Sequence, residues 1–164
     1  MSSADVVPVE VRAVLPTSGG CAVFLGNDEK VFVIYIDQGV GVAISMFMRG
    51  VPKERPQTHD LIASILLGLG AHVERVVINH VEERVYFARL ILVAENEIEE
   101  KKVLEIDARP SDSIALAVQQ EAPIFVAHSV WEASEDMTEV LASMQSGEAE
   151  GPEAASFEDD DSPS

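Results

Sequence analysis

A chain of 164 residues, 47% of them hydrophobic, has enough apolar content for one domain with a true core, and it carries a formal charge of −18. The single cysteine, Cys21, excludes an internal disulfide, and no apolar run approaches the ~18 residues a membrane span needs. Met1 to Asp5 lacks the basic-then-apolar pattern of a secretory signal, so the expected location is cytoplasmic, with no membrane partner.

Val6 to Leu15 alternates, with Val9, Val11, Ala13 and Leu15 set against Glu10 and Arg12, and predicts a half-buried strand. Pro16 to Gly20 reads as a turn. Cys21 to Leu25 and Lys30 to Ile36 read as a hairpin closed by Gly26-Asn27-Asp28-Glu29. The second of these strands is apolar on both faces, as a central strand is, and Cys21 reads as a small core residue. Residues 38–50 predict a helix with Val42, Met46 and Phe47 on its apolar side and a start weakened by Gly39 and Gly41.

A second helix is expected from Thr58 to about Leu69, capped by Thr58, with Asp60 in its first turn and Gly70 as its stop. Val73 to Val81 and Arg84 to Val93 follow as strands joined at Glu82-Glu83. Arg89 stands on an apolar face and needs a partner, expected at Glu105, Asp107 or Asp112. His80, at a strand end, reads as a surface residue, and 94–100 as a solvated acidic loop. Lys102 to Asp107 is a sixth strand, with Leu104 and Ile106 on one face and Glu105 and Asp107 on the other.

Pro110 stops that strand, Ser111 is the expected N-cap of a helix to residue 121, and Asp112 sits where the helix dipole favours negative charge. Ile124 to Val126 is a short last strand. Trp131 is expected to dock the following segment, in which Ser134 caps a short helix with Met137, Val140, Leu141 and Met144 as its apolar stripe. From Gln145 onward, low hydrophobicity with high charge predicts disorder. The expected architecture is a single α+β domain over 5–130, its sheet mixed or mainly antiparallel with packed helices, then a helical extension over 131–145 and a disordered acidic tail over 146–164. Apolar residues on short edge elements point to a homo-oligomer, with a dimer as the simplest form.

Two stretches share a phrase. Asp107-Ala108-Arg109-Pro110-Ser111-Asp112-Ser113-Ile114-Ala115-Leu116-Ala117 gathers carboxylates and a guanidinium where a strand meets a helix. Arg55-Pro56-Gln57-Thr58-His59-Asp60-Leu61 repeats the order Arg-Pro, hydroxyl residue, Asp, apolar helix, with different spacing. Capping and ion pairing account for much of both. If the two helix starts face one cleft, His59, Asp60, Asp107 and Asp112 converge there.

These phrases, with Ala122-Pro123-Ile124-Phe125-Val126, resemble the bifunctional nuclease domain family over roughly residues 5–130. The resemblance implies a compact α+β domain and nuclease activity on RNA and DNA. The family pattern often places an acid in the opening turn of the first helix, where Gly39-Val40-Gly41 offers none.

The charge distribution cuts the other way. Residues 131–164 hold 11 acids and no Lys or Arg, and residues 1–130 are still net −7. Lys101-Lys102 is the only adjacent pair of bases, whereas nucleic-acid binders usually carry a basic patch. Gly-rich phosphate loops, Cys-based zinc motifs and His-Glu-x-x-His are absent. Carboxylate chemistry remains: Glu105, Asp107 and Asp112 as ligands of Mg²⁺ or Mn²⁺, which would activate a water on the phosphate. His59, Asp60, Asp107 and Asp112 are the candidate catalytic residues, with Arg109 and Arg55 as phosphate binders. The rival reading is a non-catalytic module of the same fold that binds a protein or small ligand.

Overall fold

Alternating and doubly apolar segments become the strands of one mixed sheet in the computed structural model, which describes residues 5–95, 97–98 and 100–147. The strands are β1 (Val6–Thr17), β2 (Gly20–Gly26), β3 (Val31–Ile36), β4 (Ala71–Glu82), β5 (Val85–Glu95), β6 (Lys101–Ala108) and β7 (Ile124–Ala127). The helices are α1 (Gln38–Arg49), α2 (Thr58–Gly68), α3 (Pro110–Gln120), α4 (His128–Ala133) and α5 (Thr138–Ser146). The sheet order is β3-β2-β1-β7-β4-β5-β6, so β3, whose two apolar faces suggested a central strand, is an edge strand: Phe32 and Ile34 join the main core, and Val31 and Val33 pack with Leu141 of α5 on the other face. Among the described strands only the β4–β7 pair is parallel; every other neighbouring pair is antiparallel.

One face of the sheet carries the main core. Val23, Leu25, Phe32, Ile34, Val76, Ile78, Leu90 and Leu92 point into it, against Val40 and Ile44 of α1 and Ile114 to Ala117 of α3. Glycine lets α1 come close: a Cβ on Gly41 would stand 2.6 Å from the Cβ of Cys21. Cys21 is buried, as its apolar strand context requires. A smaller cluster of Ala13, Ala22, Phe24 and Val31 packs under Leu141 of α5.

The strands outrun their sequence limits. β1 continues through Pro16 to Thr17, and the expected five-residue turn shrinks to Ser18-Gly19, because Pro16 pairs with Cys21 and Thr17 with Gly20. The β4–β5 turn is Glu83-Arg84, with φ of 50° and 68°. Both residues lie in the left-handed region that a two-residue hairpin loop matching strand twist demands.

Helix starts also move. α2 is capped by Gln57 and not Thr58, and α3 by Arg109 and not Ser111. Pro110 takes the first helical position, where its missing N–H costs nothing, and Ser111 is buried instead. Ser134 does not cap α5. It closes α4, its hydroxyl donating to Val130 O at 2.7 Å, and α5 begins after Met137. Trp131 is buried, edge-on to Phe32, and Lys30 Nζ lies 5.1 Å from the centre of its ring. Of the expected stripe on α5, Leu141 is buried and Met137 partly so, while Val140 and Met144 face solvent. The segment read as an acidic tail lies, from residue 148, outside the described residues.

Candidate functional site

Three helix N-termini meet at one cleft. It is about 920 Å³ and is lined by Asp37, Gly39 and Val40 at the start of α1, Arg55 to His59 and Leu61 at the start of α2, and Arg109 and Asp112 at the start of α3. Each α-helix start carries unpaired backbone N–H groups and a partial charge near +0.5, so three of them give roughly +1.5. This offsets the two carboxylates, Asp37 and Asp112, that face the cleft.

Arg109 ties two of the helices together. Its Nε donates to Asp112 Oδ2 at 2.9 Å, and a terminal nitrogen lies 3.5 Å from Asp37 Oδ2. Asp37 in turn caps α1, accepting from Val40 N at 3.1 Å. The other oxygen of Asp112 faces His59 Nε2 at 3.0 Å, which joins α2 to α3. His59 is buried to 6% exposure, while the Arg109 side chain is 65% exposed. Burial alone would raise the Asp112 carboxyl, but the hydrogen bonds from Arg109 and then His59 outweigh it and hold the pKa below the ordinary aspartate value. Asp112 raises the Arg109 pKa reciprocally.

Asp60 takes a different place. Its Oδ2 accepts from Lys53 Nζ at 2.8 Å and from Gln57 N at 2.8 Å, and its Oδ1 accepts from Gln119 Nε2 at 3.0 Å. The Lys53 hydrogen bond is the largest influence on its pKa, which is lowered. Lys53 also lies 3.9 Å from the centre of the Phe47 ring. Asp60 therefore lines a neighbouring hollow with Phe47, Lys53, Ser64 and Gln119, and Arg55 and Pro56 form the wall shared with the main cleft.

Of the residues singled out by sequence, His59, Asp112, Arg109 and Arg55 thus share one cleft, and Asp60 stands beside it in its own ion pair. Glu105 and Asp107 do not line it. They are exposed on β6, opposite Ile91 and Arg89 of β5. Arg89 faces Asp107 in register, yet no ion pair joins them among the described residues. Glu105, Asp107 and Asp112 do not assemble into a metal cage, and no group of three or more His, Cys, Asp or Glu placed for one ion occurs among the described residues.

Asp37 was missed by sequence, although an Asp immediately before a predicted helix is a plain capping signal. It matters because the first turn of α1 contains no acid. Its carboxylate reaches the cleft from the cap position instead.

A family model described as the bifunctional nuclease domain matches residues 23–139. Two uncharacterised proteins, from two strains of Mycobacterium tuberculosis, are each 34% identical over 104 residues, which is 63% of this chain and 58% of theirs. The aligned stretch thus spans less than two thirds of the length of these relatives. Among the described residues no helix is long and apolar enough to cross a membrane.

Proposed function

The chain belongs to the bifunctional nuclease domain family, and on that premise we propose that it hydrolyses phosphodiester bonds of RNA and DNA at the cleft where α1, α2 and α3 begin. The observation that carries this reading is the convergence of three helix N-termini with Arg55 and Arg109 in a chain of charge −18. Helix N-termini bind phosphate through backbone N–H groups and dipole. In so acidic a molecule, the cleft is where a phosphate would meet least repulsion.

The residues divide the work as follows. Arg109 offers its fork to a non-bridging phosphate oxygen, held in place by Asp112 and Asp37. Arg55, which has no ion pair among the described residues, supplies the second cation from the segment that leads into α2. Asp112 remains a carboxylate at neutral pH, and with His59 it forms the couple that takes up the proton of the attacking water. Asp60 sets the start of α2 through Gln57 and Lys53 and so positions Arg55 and His59.

A Mg²⁺ or Mn²⁺ ion at Asp37 and Asp112 would have to share their oxygens with Arg109, His59 and the cap of α1, with substrate phosphate and water completing its coordination. Bound there, it would polarise the phosphate and lower the pKa of a water.

The test is cleavage of end-labelled single-stranded RNA and DNA by the purified full chain, with Mg²⁺, with Mn²⁺ and with EDTA, beside Arg109→Ala. The variant should fold, since Arg109 is exposed, and lose about 100-fold or more in rate, the scale of removing one charge-stabilising donor. Equal rates in both proteins would mean a contaminant. The second reading, a phosphate-binding module without turnover, is favoured by the same internal pairing of His59, Asp112 and Arg109. Binding of the oligonucleotide, weakened by Arg109→Ala but without cleavage under any metal condition, would select it.

A further inference from the structure

The two ends of the sheet are treated differently. At the β3 end, the chain covers its own edge: Met137 N donates to Val31 O at 2.6 Å, and Val31 N donates to Thr138 Oγ1 at 3.2 Å. At the other end β6 pairs only with β5, and no described element lies beyond it. An open strand edge presents a row of unpaired N–H and C=O groups, a template for another strand. β6 adds apolar surface to that edge, with Val103 59% exposed and Ile106 41% exposed.

Its charges are ordered. Lys101 and Lys102 occupy the first half of the strand, Glu105 and Asp107 the second. None of the four is in an ion pair among the described residues. A strand with cations at its start and acids at its end is complementary to itself when reversed.

We propose that β6 is a dimerisation strand, pairing antiparallel with β6 of a second copy of this chain about a two-fold axis at Leu104. An axis normal to the sheet keeps each residue on its own face, so only residues of like parity can stand opposite one another. Centring on Leu104 places Lys101 opposite Asp107 of the second copy and diagonal to its Glu105, twice over by symmetry. On the other face Leu104 meets its own counterpart and Lys102 meets Ile106. Centring on Glu105 would instead put that carboxylate against itself, which like-charge repulsion disfavours.

The arrangement joins both sheets into one and puts α1 and α3 of both copies on the same face. β6 runs directly into Arg109. Arg109 lies five residues from the axis in each copy, so the two clefts sit roughly 33 Å apart along the strand direction at about 3.3 Å per residue. A single nucleic-acid strand could then engage both.

Analytical ultracentrifugation of the full chain across micromolar concentrations should show a species of twice 17.7 kDa. Lys101→Glu should weaken the dimer at least tenfold, because both symmetric pairs become repulsive at once. The double variant Lys101→Glu, Asp107→Lys should recover most of the affinity, and this recovery also shows that the charge change alone did not unfold the strand. A monomer at every concentration overturns the proposal. So does a dimer indifferent to Lys101→Glu, or one abolished by Leu69→Lys on the exposed face following α2, where Leu69 is 73% exposed. Failure of the double variant to recover would overturn the Leu104 register.

Discussion

Asp112 is the residue on which the site turns, because it touches partners on two sides. One oxygen faces His59 from α2, and the other accepts Arg109 at the start of its own helix. Replacing it with Asn keeps the shape and removes the charge. Arg109 then loses its stronger anchor and His59 its carboxylate, so the expected result is a fall in kcat of about 100-fold or more with a smaller change in KM. Stability should respond to acid in a defined direction. The folded pKa values of Asp112 and Asp60 lie below the ordinary aspartate value of 3.8. Their ionised forms therefore stabilise the fold fully above about pH 4, and the contribution disappears as pH falls through the depressed folded values. Denaturant titrations at a series of pH values below 4 check this. The slope of stability against pH should flatten in Asp112→Asn and again in Asp60→Asn, and an unchanged slope would contradict the pairing. Arg109, Asp112, His59 and Arg55 were legible in sequence because they fall within two short phrases. Asp37 lies 72 positions before Arg109, in no motif, and the packing of α1 against α3 brings the two together. Asp60 was legible as a first-turn acid but not as the partner of Lys53, which lies before its phrase and not within it.

At the scale of elements, the order of strands and helices followed from periodicity and punctuation, but the caps did not. Pro110 decides the start of α3: its fixed φ suits the first helical turn, so the helix begins a residue before the hydroxyl that looks like its cap. The consequence is functional, since Asp112 becomes the third helical residue, as Asp60 does in α2. Both acids then lie where they meet the N-terminal dipole. The β4–β5 turn shows the opposite case, a loop whose residues disagree with its geometry. Glu83 and Arg84 hold φ of 50° and 68°. A residue other than Gly pays about 1 kcal/mol or more to sit there, whereas Asn-Gly adopts this turn readily. Glu83→Asn with Arg84→Gly should raise stability by about 1 kcal/mol, a rise in Tm of roughly 2–4 °C for a chain of this size. Thermal unfolding followed by circular dichroism measures it. No gain would mean that the turn relaxes to another type in solution. Gly41→Ala should act in the reverse direction: its added Cβ collides with Cys21, forcing α1 off β2 at a cost of about 1–3 kcal/mol.

For the whole molecule, charge decides how substrate arrives. A nuclease with a basic face binds nucleic acid by releasing counterions, and its affinity falls steeply with salt. This chain is −18 and presents two guanidinium groups in the cleft, Arg55 and Arg109. Two contacts to a single strand give a slope of log affinity on log salt of roughly −1.4. Opposing it is the long-range repulsion between two polyanions. That repulsion is strong where the Debye length is about 30 Å, near 0.01 M salt, and largely screened at about 8 Å, near 0.15 M. The repulsive component therefore weakens as salt is added while the local contacts also weaken, and the two trends oppose each other. The expected affinity for a single-stranded oligonucleotide therefore changes less with salt than two phosphate contacts alone would dictate: below about 0.15 M, its log–log slope is flatter than about −1.4. Steady-state kinetics across that range checks it. A slope steeper than this would mean that more bases reach the phosphates than Arg55 and Arg109.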